Sequence, residues 1–304
     1  MKSARPKSPG LIVVGRNSYI GGHLLEHAKR ACLENVIGLA SADCNFLDAK
    51  AVGHFFQSLK PSEYTVVFLA VVNKQVRNSF DSFVENVTMV QNLAAGCRFA
   101  NVTSLIYCSS VDVYGNRPVV PITERSPIAP DTWYGLAKYV GEWMLLSAGE
   151  MDCPVTALRI PGIYGRGKND PSVIGRMVAD VRRTGKIRVH GEGVFRRDYV
   201  FNGDIARLVL SLGDVKYHGV LNVATGEGRP VLDVARAVGQ ALGRKFQIVH
   251  EPADASRDFD LVFDNSRLRS VFPDFCFTDL RSGVRSYLAG GAAASSATKG
   301  PDYR

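Results

Sequence analysis

The chain has 304 residues, 46% of them hydrophobic, which is enough for a large core and for one main domain with a smaller one beside it. Its net charge of +8 is spread along the sequence, which favours anionic small molecules such as nucleotide phosphates as ligands over nucleic acid. The longest apolar run, residues 66–72, is too short to span a bilayer, no signal-peptide pattern opens the sequence, and six cysteines without pairing or metal-ligand spacing predict reduced thiols in a cytoplasmic protein without a metal site.

The first predicted unit after a flexible segment, 1–9, is a strand, a glycine-rich turn and a helix. The apolar run Leu11 to Val14 predicts a buried strand, and His23 to Arg30 predicts a helix. Between them, Gly15-Arg16-Asn17-Ser18-Tyr19-Ile20-Gly21 has the form of a turn that directs backbone N–H groups toward a pyrophosphate. Serine at position 18, where a third glycine is usual, narrows the turn and weakens the pattern, and a glycine-rich turn without a ligand is the alternative.

The second predicted strand, Val36 to Leu39, bears on the choice between NAD and NADP. An acidic residue commonly ends this strand in NAD sites and binds the adenosine ribose. Here the next carboxylate is Asp43, and Arg16 could approach a 2′-phosphate. The pattern favours NADP over NAD and leaves both open.

Helices and strands continue to alternate, which predicts a doubly wound parallel α/β sheet of the Rossmann type over residues 10–165. The predicted helices are 49–59, 80–98 and one that contains Tyr134; the predicted strands are 66–72, 104–108 and 155–160. Ligands of such a sheet bind at the carboxyl ends of its strands.

Tyr134 and Lys138 would lie one turn apart on the same face of a helix. Asp131 and Thr132 offer an N-cap, and apolar residues at 136, 140, 143 and 144 follow at helical spacing. A nearby ammonium favours the phenolate and lowers the pKa of the phenol, which suits the pair to proton exchange with a sugar or alcohol oxygen while a hydride moves. For this pair alone, an ordinary helix tyrosine is the alternative.

Ser110 and Asp112 follow the predicted strand 104–108. The Ser110 hydroxyl could hydrogen-bond the oxygen that Tyr134 serves, or it could simply cap a turn. Asp112 is either a third catalytic group or a solvated loop carboxylate, and the loop interpretation is favoured.

Residues 166–288 predict a smaller α/β substrate lobe, with some chain returning to the main sheet, and 289–304 predict a disordered tail. The predicted lobe helices are 172–184, 204–212 with Asn202 as the cap, and 230–242; the strands are 187–189, 221–223 and 247–250. Arg197 and Arg257 are candidates for gripping a substrate diphosphate, because the guanidinium fork matches phosphate oxygens. A surface salt bridge is the alternative for each arginine.

Together these segments resemble the extended short-chain dehydrogenase/reductases, specifically the nucleotide-sugar epimerase/dehydratase group, over about residues 10–288. The resemblance is carried by the glycine turn, Cys108-Ser109-Ser110-Val111-Asp112-Val113-Tyr114-Gly115, Tyr134 to Lys138, and Arg197-Asp198-Tyr199-Val200. It implies that Tyr134 exchanges the proton, that Lys138 tunes Tyr134 and holds the nicotinamide ribose, and that Ser110 orients the substrate oxygen.

The resemblance also implies contacts for the cofactor, the substrate and a second subunit. It places Asn45 and Phe46 beside adenine, Leu69, Ala70 and Val71 along the cofactor diphosphate and ribose, Pro161 near the nicotinamide, and Arg197 and Arg257 on substrate phosphates. It implies a homodimer through a four-helix interface formed by Phe83 to Arg98 and Trp133 to Ser147.

The expected reaction is hydride transfer at C4 of a nucleotide-linked hexose. A 4-ketoreductase that uses NADPH is favoured by a narrow margin, and a 4-epimerase that holds NAD is the alternative. Asp112 stands alone where family dehydratases carry a pair of acids, which disfavours a 4,6-dehydratase. A non-catalytic NADP-binding module is disfavoured because both Tyr134 and Lys138 are present.

Overall fold

The computed structural model describes residues 9–147, 151–165, 172–253 and 258–289. Almost all of the predicted N-terminal segment (1–8) and C-terminal tail (290–304), and Arg257, lie outside the described residues.

The described residues form twelve strands and nine helices, and helices alternate with strands through the first half of the chain. The strands are β1 (Gly10–Val14), β2 (Val36–Leu39), β3 (Tyr64–Phe68), β4 (Val102–Ser110), β5 (Val155–Ile160), β6 (Gly162–Tyr164), β7 (Lys186–His190), β8 (Arg196–Arg197), β9 (Tyr199–Phe201), β10 (Gly219–Asn222), β11 (Arg229–Pro230) and β12 (Gln247–Glu251). The helices are α1 (Tyr19–Arg30), α2 (Ala49–Gln57), α3 (Phe80–Cys97), α4 (Trp133–Ser147), α5 (Val173–Thr184), α6 (Asn202–Val215), α7 (Val231–Ala241), α8 (Ser266–Val271) and α9 (Leu280–Ala289), with a 3-10 turn at Val111–Tyr114.

The main sheet has the strand order β10-β5-β4-β3-β1-β2, and every neighbouring pair is parallel. Each crossover between parallel strands requires a connection across a face of the sheet, and the helices supply it. This confirms the predicted doubly wound Rossmann-type α/β sheet. The return of β10 to this sheet, beside β5, agrees with the expectation that some of the later chain rejoins it.

The sheet is buried on both faces. Alternate residues of its strands point to opposite sides, so neighbouring residues pack against different helices. Val13 of β1 packs in the cluster that includes Leu24 of α1 and Val209 of α6. Its neighbour Ile12 packs in the cluster that includes Phe56 of α2 and residues of α3. The helices therefore cover both faces of the sheet and leave the strand ends accessible to ligands.

A third cluster fills the smaller lobe. Ile174 and Val178 of α5 pack there with Ile187 of β7 and Val238 of α7. Strand β7 pairs in parallel with β12, outside the main sheet. No described helix combines the length and the apolar character that crossing a bilayer demands.

Several predicted element boundaries are wrong, among them those of β3, β4, α2 and α6. β3 ends at Phe68 rather than at Val72, since the Val72 backbone exchanges hydrogen bonds of 2.7 and 3.1 Å with the Asn86 side chain instead of a strand. Asn202 does not cap α6; it is the first helical residue, and Phe201 is the extended N-cap residue.

The predicted apolar face of α4 is not its buried face. Trp143 is 56% exposed. Its buried residues are instead Leu145 and a set of small and charged residues, namely Gly135, Ala137, Lys138, Gly141 and Glu142. Glycine and alanine allow α4 to approach β4 closely, which brings the charged side chains against the strand.

Candidate active site

A cavity of about 470 Å³ opens at the carboxyl edge of the main sheet. Ser110 from the end of β4, Tyr134 from α4 and Pro161 after β5 line it, as do Tyr19 and Arg197. The strand ends therefore meet there as the topology predicts.

Tyr134, Lys138 and Ser110 converge at this cavity. Thr132 caps α4 with a 3.0 Å hydrogen bond that its Oγ1 accepts from the Gly135 backbone N–H. The Ser110 and Tyr134 side chains are hydrogen-bonded to each other. The Lys138 ammonium lies 5.8 Å from the centre of the Tyr134 ring and donates a 2.6 Å hydrogen bond to the Cys108 carbonyl oxygen. The expected meeting of phenol, hydroxyl and ammonium is present.

The expectation that the pKa of Tyr134 is lowered is wrong in this structure. Burial raises the pKa of this phenol, and the Asp112 carboxylate raises it further, while the Ser110 hydrogen bond opposes the change. The Lys138 ammonium is directed at a backbone carbonyl rather than at the phenol oxygen. Burial in turn lowers the pKa of Lys138 to about 8.

Asp112 also lines the cavity, paired with a residue that sequence reasoning missed. Lys74, in the loop between β3 and α3, donates a hydrogen bond to the Asp112 carboxylate and lies 5.9 Å from the centre of the Tyr134 ring. Asp112 is therefore neither isolated nor purely solvated. A lysine six residues after a strand carries no sequence signal of this contact.

The glycine turn after β1 fits a dinucleotide diphosphate. Gly15 has φ +97°, and a Cβ on Gly21 would lie 2.3 Å from the Gly15 carbonyl oxygen, so both positions require glycine. Ser18, which weakened the sequence pattern, is the N-cap of α1: its Oγ accepts a 3.0 Å hydrogen bond from the Gly21 N–H. The turn thus presents the first N–H groups of a helix, which have no partner within the helix.

The other residues of this turn point into the core, to solvent or into the cavity. The Ile20 side chain is in the core, and Asn17 is exposed. Tyr19 lines the cavity at the carboxyl edge of the sheet and donates a 2.5 Å hydrogen bond to the Gly165 carbonyl. Ile20 therefore has only its backbone to offer a cofactor.

Arg16 stands at the end of β2. Its guanidinium lies 3.1 Å from the Asp43 carboxylate and donates a 3.1 Å hydrogen bond to the Gly38 carbonyl. Asp43 also accepts a 2.7 Å hydrogen bond from the Ala40 N–H. A cation and a carboxylate are thus both present where the ribose of a bound adenosine is expected.

The structure separates the predicted adenine and diphosphate residues. Asn45 is exposed, whereas the Phe46 ring is buried against Phe68, with 5.5 Å between ring centres. Phe46 therefore has no ring face to offer adenine. The segment Leu69, Ala70 and Val71 follows β3 directly, with the Leu69 and Ala70 backbone against Gly15.

Of the two arginines predicted to bind substrate phosphates, only Arg197 is among the described residues. Arg197 lines the catalytic cavity, but its guanidinium donates hydrogen bonds to the Arg196 and Phe259 carbonyls. Arg176 of α5, which sequence reasoning missed, lines the same cavity and a second one of about 470 Å³. Arg176 and Arg197 thus flank the junction of the two cavities. A basic residue near the start of a predicted helix was the only signal for Arg176.

Residues 11–224 match the NAD-dependent epimerase/dehydratase family. The GDP-L-fucose synthase of Dictyostelium discoideum is 22% identical over 298 residues, covering 90% of this chain and 92% of that protein. The dTDP-4-dehydro-6-deoxy-D-allose reductase of a Streptomyces species is 28% identical over 251 residues, covering 78% of this chain and 77% of the relative.

Solved structures share the fold. The UDP-glucose 4-epimerase of Thermotoga maritima, solved with UDP-glucose, has a TM-score of 0.80 at 20% identity and covers 93% of this chain and 99% of its own. RMD from Pseudomonas aeruginosa, complexed with NADPH, also has a TM-score of 0.80 at 20% identity, covering 92% of this chain and 98% of its own. With the family match over most of its length, the chain belongs to the NAD-dependent epimerase/dehydratase family and is an enzyme of the extended short-chain dehydrogenase/reductase type.

Proposed function

We propose that this enzyme is a 4-ketoreductase of nucleotide-linked hexoses that uses NADPH. The observation that carries the proposal is the hydrogen-bonded pair Ser110 and Tyr134 in a cavity at the sheet edge, with Lys138 beside it. A relative that matches most of this chain is a reductase of a dTDP-4-dehydro sugar.

Reduction of a ketone needs an acid, and Tyr134 suits that role. Its raised pKa keeps the phenol protonated near neutral pH. The hydride to C4 would come from a nicotinamide held beside these side chains. Tyr134 gives its proton to the C4 oxygen, Ser110 holds that oxygen in place, and the Lys138 ammonium stabilises the phenolate that remains. Epimerisation starts instead with removal of a proton from a hydroxyl, so Tyr134 would have to act first as a base.

The glycine turn would hold the dinucleotide diphosphate, with the backbone of Leu69 to Val71 on its other side. Arg16 would meet a 2′-phosphate at the end of β2, because its guanidinium is 41% exposed there. This exposure supports NADP.

A 4-epimerase with bound NAD is the second candidate, and Asp43 favours it. This carboxylate lies beside Arg16 at the end of β2, where an acid would bind ribose hydroxyls. The two candidates differ in what becomes of the cofactor. A reductase consumes one NADPH per 4-keto nucleotide sugar, whereas an epimerase retains NAD through purification and interconverts the sugars without net consumption. Mass spectrometry of the purified protein and NADPH absorbance with a 4-keto sugar nucleotide separate them.

Arg176 offers a test of the nucleotide-sugar assignment. Arg176→Met should raise KM for the nucleotide sugar about 10- to 100-fold with kcat little changed, because a charge-assisted contact to a diphosphate is lost in ground and transition states alike. Arg182→Met is the matched control, since Arg182 is exposed on the same helix outside both cavities. Steady-state kinetics that show equal KM values for the two variants would exclude Arg176 from substrate binding.

The rate should fall as the pH rises through about 8, the pKa to which burial lowers Lys138. Above that pH the ammonium loses its proton and no longer stabilises the Tyr134 phenolate. The pKa of Tyr134 is raised, so the phenol stays protonated through this range. A pH profile of kcat under saturating NADPH measures this fall in rate. A profile that stays flat to pH 10 would contradict the role of Lys138.

We further propose a homodimer through α3 and α4. Phe80, Val84, Trp133 and Trp143 are between 40% and 58% exposed on these adjacent helices, and the Phe80 and Trp133 ring centres lie 5.5 Å apart. A second copy would cover these large apolar side chains. Light scattering should show a dimer that Trp143→Lys weakens; a monomeric wild-type protein at micromolar concentration would reject the interface.

We also propose a cytoplasmic location. All six cysteines are free thiols, which is typical of proteins in a reducing compartment.

A further inference from the structure

One buried carboxylate lies behind the candidate catalytic groups. Ser110 ends β4, and Tyr134 and Lys138 occupy successive turns of α4. Glu142 follows one turn beyond Lys138 on the same face and is only 2% exposed. A carboxylate is almost never buried to this degree unless it is paired.

Glu142 joins α4 to the ends of two strands. Its carboxylate accepts hydrogen bonds from Arg159 Nε at 3.0 Å and Nη2 at 2.6 Å, and from the Ser109 hydroxyl at 2.5 Å. Ser109 and Arg159 are paired residues of β4 and β5. Each immediately precedes a residue that lines the catalytic cavity, Ser110 and Ile160. The bidentate pair therefore fixes the catalytic face of α4 relative to both strand ends.

Arg159 is held from its other side as well. It is 4% exposed, and its Nη1 donates a 2.9 Å hydrogen bond to the Tyr114 hydroxyl. That hydroxyl donates a 2.7 Å hydrogen bond to Asn222 of β10. A fully bonded network of this kind rigidifies its surroundings. Stability alone does not require it, because well-packed apolar residues of similar volume commonly replace a buried ion pair without loss.

The network also shapes the electrostatics around Lys138. Burial lowers the pKa of Lys138, and Cys108 and Glu142 act against that change. The charged and titratable groups around Lys138 come from three elements: Tyr107 and Cys108 of β4, Tyr134 and Glu142 of α4, and Arg159 of β5. Of these, Glu142 is the acidic group that the helix places one turn from the ammonium.

We propose that Glu142 and Arg159 are positioning residues of the catalytic set, which fix Lys138 and Tyr134 beside Ser110, and that the Glu142 carboxylate favours the ammonium form of Lys138. The inference rests on the proposed function, since it concerns the groups that would transfer the proton. It assigns the ion pair a role that its contribution to stability does not explain.

The double variant Glu142→Leu/Arg159→Met separates positioning from folding. It removes both charges while it keeps apolar volume, so its Tm should exceed those of the two single variants. We expect its kcat to remain about 10- to 100-fold below wild type, with KM for NADPH little changed, because the catalytic face of α4 is no longer held in register. A double variant with wild-type kcat would overturn the proposal.

Glu142→Gln tests the charge separately and without turnover. We expect ¹³C NMR of labelled lysines, with the Lys138 signal assigned by its absence in Lys138→Arg, to show a wild-type midpoint near pH 8. Glu142→Gln should move it down by about one unit, because the carboxylate charge is lost while Arg159 remains. An unmoved midpoint would overturn the proposal even if the double variant does not fold.

Asp204→Asn is the matched control for loss of a buried carboxylate elsewhere. Asp204 is 1% exposed on α6 and accepts hydrogen bonds from Thr278 and Arg207. Asp204→Asn should lower Tm and leave the Lys138 midpoint in place. A midpoint that moves equally in Asp204→Asn and Glu142→Gln would contradict a specific effect of Glu142 on Lys138. Absence of turnover in the wild type would reject the proposed function, and the NMR midpoints would still decide whether the Glu142 carboxylate favours the Lys138 ammonium.

Discussion

Tyr134→Phe is expected to lower kcat for reduction of a 4-keto nucleotide sugar by about 10²- to 10⁴-fold, the usual contribution of a positioned acid. The variant removes the proton that the C4 oxygen must receive, and it leaves the ring in place. The phenol is hydrogen-bonded to the Ser110 side chain, and Ser110 keeps a further 3.2 Å hydrogen bond from the Asp112 N–H. Tm and NADPH affinity should therefore stay close to wild type.

Tyr139→Phe is the matched control for this loss. Tyr139 lies on the same helix, partly buried in the cluster of Val113 and Phe263, and does not line the cavity. It should retain wild-type kcat. A Tyr134→Phe enzyme that works within about twofold of Tyr139→Phe would remove the phenol from the reaction.

Gly21→Ala is expected to have the largest effect on cofactor binding. Its new Cβ would lie 2.3 Å from the Gly15 carbonyl oxygen, a backbone atom that cannot swing aside. Relieving the overlap must displace the turn, which should cost about 1–3 kcal/mol of unfolding free energy and raise the Kd for NADPH at least about tenfold. Thermal denaturation and titration of NADPH fluorescence measure the two effects.

The neighbouring Gly22 provides the control. A Cβ there would meet nothing closer than the Arg16 carbonyl oxygen at 3.9 Å. Gly22→Ala should be neutral or stabilising by about 0.5–1 kcal/mol, because alanine is the better helix former. Equal Kd values for the two alanine variants would show that the turn does not hold the cofactor.

Sequence patterns predicted the sheet and the meeting of Ser110, Tyr134 and Lys138 at its edge, because both depend on local patterns. Apolar runs such as Leu11 to Val14 mark buried parallel strands, and strand ends of a parallel sheet must meet at one edge. That geometry brings Ser110 and Tyr134 together although 24 positions separate them in the sequence. The sequence alone places Tyr134 on a helix and Ser110 at the end of a strand.

The remaining features depend on tertiary contacts that no local pattern reports. The pKa of Tyr134 is raised because burial, with Asp112 acting in the same direction, outweighs the Ser110 hydrogen bond, and burial is a property of the packed molecule. Phe46 is a core residue, although its position suggested an adenine contact. Glu142 is buried against Arg159, which lies on a different element, and no local pattern around residue 142 reports that contact.

The most direct test of the account is transfer of deuterium from C4-labelled NADPH to a nucleotide-linked 4-keto hexose. We expect one deuterium at C4 of the sugar, located by NMR, for each NADP⁺ formed, with both products formed about 10²- to 10⁴-fold more slowly by Tyr134→Phe. Failure to oxidise NADPH with UDP-, GDP- or dTDP-linked 4-keto sugars, with no deuterium in the recovered sugar, would contradict it.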